Sequence, residues 1–147
     1  METKTRLESD LKDALRAGDD LRKSTLRLAL SAIRFAEIER GAKLDESAII
    51  TIVHKEIKSR HESIEDARRA NRPELEKTAQ AEIEVLQAYL PQALSAEELE
   101  GMAKQAIAEV GASSIRDMGQ VMKTLLPRLA GRATGDQVSQ VVRKLLQ

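Results

Sequence analysis

The chain of 147 residues contains no cysteine and no tryptophan, one tyrosine, one phenylalanine and three prolines. Without cysteine there is no disulfide, no thiolate metal ligand and no thiol nucleophile. With aromatics at 1%, the core has to be built from Leu, Ile, Val, Ala and Met. A row of aromatic platforms for stacking the bases of a single strand is not available. No apolar run approaches the roughly 18 to 20 residues that a membrane-crossing helix needs. Near the start, Glu8, Asp10 and Asp13 interrupt any signal-like stretch. The formal net charge is +0, so no overall field draws the chain to polyanions. These absences, with a cysteine-free composition that suits a reducing compartment, lead to the expectation of a soluble cytoplasmic protein with no membrane partner.

What is present is helical. Hydrophobic residues at 41% against 33% charged provide enough apolar surface for a folded core and argue against disorder. No segment alternates polar and apolar residues as a strand would, whereas apolar positions recur at helical spacing throughout. A first helix is expected over about 5–17, with Leu7, Leu11, Ala14 and Leu15 on one face and Gly18 as its stop. Asp19 or Asp20 caps a second, ending at Gly41, with Leu26, Leu30 and Ile33 inward. A third spans about 45–70 on a stripe of Ile50, Val53, Ile57 and Ile64. The short connection between the second and third predicts a long antiparallel hairpin of those two. Pro73 opens a fourth helix, which must end before Pro91.

The segment Tyr89-Leu90-Pro91-Gln92 marks the boundary between two domains, 1–92 and 93–147. Beyond it, Ser95 with Glu98 three residues on forms a capping box. Helices over about 95–110 and 114–130, and a last one after the loop 131–135, make a small three-helix unit. The fold class is therefore all-α: an N-terminal helical domain with a long hairpin, then a compact three-helix domain.

Few residues suggest chemistry. His54 and His61 are seven positions apart and share a helix face, but sit two turns from each other, too far for easy joint metal ligation. Neither a metal nor any other cofactor is expected. Glu97, Glu98 and Glu100, and Glu82 with Glu84, have the spacing of solvated helix faces rather than of a buried acid–base pair. Ser113-Ser114 has no glycine frame and reads as a helix cap. The loop 131–135 lacks the glycine and lysine spacing of a phosphate-binding loop.

The segment around 116–129 is more informative. Met118, Val121, Met122, Leu125 and Leu129 share one face, while Arg116, Gly119, Gln120 and Lys123 fall opposite. A glycine inside a helix costs up to about 1 kcal/mol relative to alanine. Here it clears space beside two cations, for a phosphate backbone or for a neighbouring helix of the same chain. Residues 116–147 also hold six cations against Asp117 and Asp136, which allows a local basic patch.

An ordered set of motifs covers nearly the whole chain. It comprises Leu26-Arg27-Leu28 with Ala32-Ile33, Lys55-Glu56-Ile57-Lys58-x-Arg60, Asn71-Arg72-x-Glu74-Leu75 and Glu82-Ile83-x-x-Leu86-x-x-Tyr89-Leu90-Pro91. Met118-Gly119-x-Val121-Met122-Lys123 and Gly131-Arg132-Ala133-x-Gly135 follow in the same order. Together they resemble the YqeY family, which is similar to the C-terminal tail region of the GatB subunit of tRNA-dependent amidotransferases. The resemblance implies two helical domains and a tRNA-binding module without its own catalytic centre, and the face of Arg116, Gly119, Gln120 and Lys123, with Arg132 of the other shared motif, supplies the expected contact residues. It also brings the family's description as a carbon–nitrogen ligase with glutamine as amido donor, an activity whose catalytic domains are absent from these motifs. The partners it implies are tRNA and, alternatively, amidotransferase subunits or another protein bound by an accessory module. The chain departs from the family pattern at Thr134, where Asp is common, and at Asp136, where a cation is common.

Overall fold

The computed structural model describes residues 2–147. Among them are seven α-helices, one short 3-10 turn and no strand. They divide into two compact units, one ending at Leu90 and one comprising Pro91–Gln147.

The first unit holds α1 (Thr3–Ala17), α2 (Asp20–Arg40), α3 (Glu46–Arg69) and α4 (Pro73–Gln87). Their ends follow local chemistry. Gly18 and Gly41 close α1 and α2 in the left-handed conformation, at φ 68° and 71°, which glycine adopts without a Cβ penalty. Asp19 and Asp45 accept from the backbone N–H of Arg22 and Ala48, satisfying donors that a helix start leaves free. Pro73 occupies the first turn of α4, where its missing N–H costs nothing.

The helix pairing differs from the expected hairpin of α2 with α3. The most extensive packing is α3 on α4, followed by α1 on α2. Arg60 pairs with Glu82 and Arg68 with Glu76, so numbers fall along α4 as they rise along α3, and the two run antiparallel. Lys4–Glu37 and Arg22–Asp10 fix α1 against α2 in the same sense. α3 presents Ile57 and Ile64 to Ala79, Ile83 and Leu86 of α4, and the small buried side chains of Ala67 and Ala79 suit a close approach of the two helices. α2 has to share Leu26 and Ile33 with Leu7 of α1 and with Ile49 and Tyr89.

Two polar ties hold this unit at depth. Arg60 is only 7% exposed; its Nε donates to Glu82 at 2.8 Å, and Nη1 reaches the carbonyl and carboxylate of Glu56. A buried guanidinium persists only when paired this fully. Tyr89, 4% exposed, donates its hydroxyl to Asp10, and the guanidinium of Arg6 lies 5.0 Å from its ring centroid. At the start of α1, the backbone N–H and hydroxyl of Thr3 both donate to Glu46.

The second unit holds α5 (Ala96–Val110), a 3-10 turn (Ile115–Asp117), α6 (Met118–Leu129) and α7 (Gly135–Leu146). All three helices contact one another around Leu99, Ala103, Val121, Leu125, Val138 and Val142. The Ser95 hydroxyl accepts from Glu98 N–H at 3.1 Å. Thr134 and Gln137 exchange reciprocal bonds at 3.0 and 3.2 Å, a capping box. One continuous helix over 114–130 is not formed. Asp117 turns its carboxylate back onto the N–H groups of Ser113 and Ser114, which tightens this stretch into the 3-10 turn before α6 begins.

Candidate nucleic-acid interface

The five expected contact residues separate into three environments. Gly119, Gln120 and Lys123 are exposed and lie on α6, at spacings that place them on one side of the helix. The opposite side is anchored in the core by Val121, Leu125 and Leu129. A Cβ added at Gly119 would meet no atom within 4 Å. The space beside this glycine is therefore open, and among the described residues no helix of its own unit packs against it.

Arg116 is exposed too, but it belongs to the 3-10 turn. The turn replaces the helical geometry expected there; residues three apart in it eclipse, so the change of helix type does not by itself separate Arg116 from Gly119. Asp117 accounts for the turn: its carboxylate accepts from the N–H groups of Ser113 and Ser114.

Arg132 is a tether rather than a free cation. Its Nε donates to the Gln92 carbonyl at 2.9 Å, a terminal nitrogen lies 3.8 Å from Glu98, and its own carbonyl accepts from Leu94 N–H at 3.0 Å. The loop after α6 is thus sewn to the chain that enters α5. Asp136 starts α7, in the first turn where a carboxylate suits the helix dipole. The remaining cations of this unit divide clearly. Lys104 and Arg128 are paired with Glu100 and Glu109, and Arg128 holds the Glu109 carboxyl below its ordinary range through their hydrogen bond. Lys123, Arg143 and Lys144 are exposed and form no ion pair among the described residues. Arg143 and Lys144, two of the six cations counted over 116–147, lie in the last turn of α7.

Elsewhere the candidate groups take structural positions. His61 is exposed and His54 half-buried, and no group of three His, Asp or Glu among the described residues is arranged to hold a metal. The shallow recess of about 370 Å³ beside His61 is lined by Lys58, Glu62, Glu65, Arg68 and Gln80, a mixed-charge helix surface. Among the described residues no helix is long and apolar enough to cross a membrane.

Known proteins place these features in a family. Residues 4–146 match the model of the Yqey-like proteins. The chain is 43% identical over 99 residues to altered inheritance of mitochondria protein 41 of Lachancea thermotolerans, covering 67% of this chain and 53% of that one. It is 31% identical over 144 residues to the protein of the same name from Pyrenophora tritici-repentis, covering 97% and 77%. With the Saccharomyces cerevisiae YJM789 protein it shares 33% over 95 residues, 64% and 51%. The alignment thus spans about half the length of the Lachancea and Saccharomyces relatives.

All three relatives are named as mitochondrial, and this overturns the cytoplasmic expectation. Its physical basis was too weak: a cysteine-free, span-free helical domain suits any reducing aqueous compartment, and addresses are written in short segments that a receptor reads, not in the composition of a core. The ordered motifs, the helices that carry them and the match over 4–146 agree, and the chain belongs to the YqeY family.

Proposed function

We propose that this chain is an amidotransferase-related module that binds tRNA through its C-terminal unit and contributes no catalytic centre of its own. The observation that carries the reading is the outer side of α6, where an open glycine adjoins an exposed lysine that forms no ion pair among the described residues. A phosphate backbone approaching there meets no side chain at Gly119 and gains Lys123, with Arg116, Arg143 and Lys144 of the same unit also outside any ion pair among the described residues. Membership of the YqeY family supports the reading through that family's similarity to the GatB tail. The names of the relatives refer to mitochondrial inheritance and to no ligand.

A ligase role would require a catalytic partner. Several polar groups have structural partners: Ser95 and Thr134 cap helices, and Glu82 and Glu56 neutralise Arg60. The test is binding of fluorescently labelled tRNA across a salt series. Phosphate contact gives a linear fall of log affinity with log salt, reduced by about one unit of slope for each contact removed. Binding that ignores salt, or that Lys123→Ala and Gly119→Leu both leave unchanged, overturns the assignment.

A further inference from the structure

Helix α2 turns Leu26, Ala29 and Ile33 into the core and leaves its other side bare. Leu28, Phe35 and Ile38 are 55%, 64% and 72% exposed, the three highest values among the large hydrophobic side chains. The chain's single phenylalanine is therefore on the surface. With Ser24 and Ser31, these residues recur at 24, 28, 31, 35 and 38, the alternating four and three spacing of a two-stranded coiled-coil seam. Leu28 and Phe35 then take a positions, and Ser24, Ser31 and Ile38 take d. Arg27 and Arg34 fall at g, Ala32 and Glu39 at e. Arg34 and Glu39 are exposed, and neither is engaged in an ion pair among the described residues.

We propose that this face docks a second copy of the chain, α2 against α2 in parallel. The charges select both occupant and direction. In a parallel pair, g of one helix meets e of the following heptad on the other, so Arg34 meets Glu39 of the partner subunit and the reverse pair forms by symmetry. An antiparallel pair brings g against g and sets Arg34 beside Arg34 of the partner subunit, a like-charge contact. The parallel register stacks Leu28, Phe35 and Ile38 each on its equivalent, as an isologous interface requires. About two heptads would not hold as free peptides, but the fold already keeps α2 helical, so association costs no helix nucleation. A stripe this short gives a concentration-dependent dimer, with a dissociation constant on the order of 10 to 100 μM.

Sedimentation equilibrium of the full chain from about 1 to 500 μM tests this, with circular dichroism confirming that each variant stays folded. The expected result is a monomer–dimer equilibrium that Phe35→Asp abolishes. Arg34→Glu and Glu39→Arg should each weaken it roughly tenfold, and the double variant should recover most of the loss. Because the chain has no cysteine, Ser31→Cys supplies a clean reporter of direction. In the parallel dimer the two introduced thiols face each other and oxidise to a covalent dimer, whereas an antiparallel pair holds them apart. A monomer at every concentration, a dimer that Phe35→Asp leaves intact, failure of the double charge exchange to recover affinity, or no crosslink through residue 31 would each overturn the proposal.

Discussion

The Nε of Arg132 sits 2.9 Å from the carbonyl oxygen of Gln92, a residue forty positions earlier in the chain. A charge-assisted hydrogen bond of this kind contributes about 1.5 to 3 kcal/mol when well shielded, and less when exposed as here. Arg132→Ala should therefore lower the melting temperature, by roughly 1 kcal/mol of stability. Arg132→Lys should not restore it fully, because an ammonium lacks the planar fork. Thermal denaturation of the full-length variants decides this. If Arg132→Ala instead leaves stability unchanged while weakening RNA binding, the residue is a contact and not a tether.

Gly119 allows the opposite separation. Its added Cβ meets nothing, and alanine outranks glycine as a helix former by up to about 1 kcal/mol. Gly119→Ala should raise the melting temperature slightly, and Gly119→Leu should cost no stability by overpacking. Loss of tRNA affinity in the Leu variant, with its stability retained, would come from steric bulk at the surface. A fall in melting temperature would mean that Gly119 packs against a neighbour within the chain.

Arg60 is the buried cation whose removal should matter most. Arg60→Ala leaves Glu56 and Glu82, at 23% and 22% side-chain exposure, near each other without their counter-charge. The expected loss is about 3 kcal/mol. Arg60→Met keeps the volume but not the charge and should fall between that variant and the parent. Urea denaturation midpoints on the three proteins give the comparison; equal midpoints would mean that the pair contributes nothing.

Tyr89 sets an alkaline limit. Burial, with the Asp10 carboxylate beside its hydroxyl, pushes its pKa up to about 12 from 10.0. A group whose folded pKa lies above its unfolded value contributes stability that is complete below about pH 10 and drains away between about 10 and 12. Melting temperatures should fall across that window in the parent and fall less in Tyr89→Phe. Parallel curves for the two proteins would remove Tyr89 from the alkaline transition.

Ala130 is held at φ 49°, in the left-handed region, immediately before Gly131 at φ 78°. A Cβ in that conformation costs roughly 1 kcal/mol. Ala130→Gly should stabilise the chain by up to that amount, less the entropy that glycine adds to the unfolded state. A calorimetric scan that shows destabilisation would indicate that the Ala130 methyl contributes packing that outweighs the strain.

Helix existence and most helix ends were legible before any coordinates. Gly18, Gly41, Gly111, Asp45, Pro73 and Ser95 act locally, within one turn of the boundaries they set, so a linear reading finds them. Partner choice was not legible, because it depends on which of several helices covers the apolar face of α3. The same limit explains Arg60 and Arg132. Each is an ordinary surface cation by type, and its role depends on a carboxylate or carbonyl 22 to 40 residues away. At 114–117 the helix begins later than its pattern suggests for a local reason instead: the Asp117 carboxylate accepts from two preceding N–H groups, and a 3-10 turn precedes α6.

The distribution of aromatic residues makes the molecule optically lopsided. Tyr89 and Phe35 both precede Pro91, and no aromatic side chain occurs among residues 91–147. Tyrosine emission and near-ultraviolet dichroism therefore report on the first core alone, whereas far-ultraviolet dichroism sums the helices of both. Coincidence of the two melting curves is the usual criterion for a single cooperative transition. Here the silent half supplies its own control: any gap between the curves measures how independently the two cores melt, with no label and no introduced fluorophore.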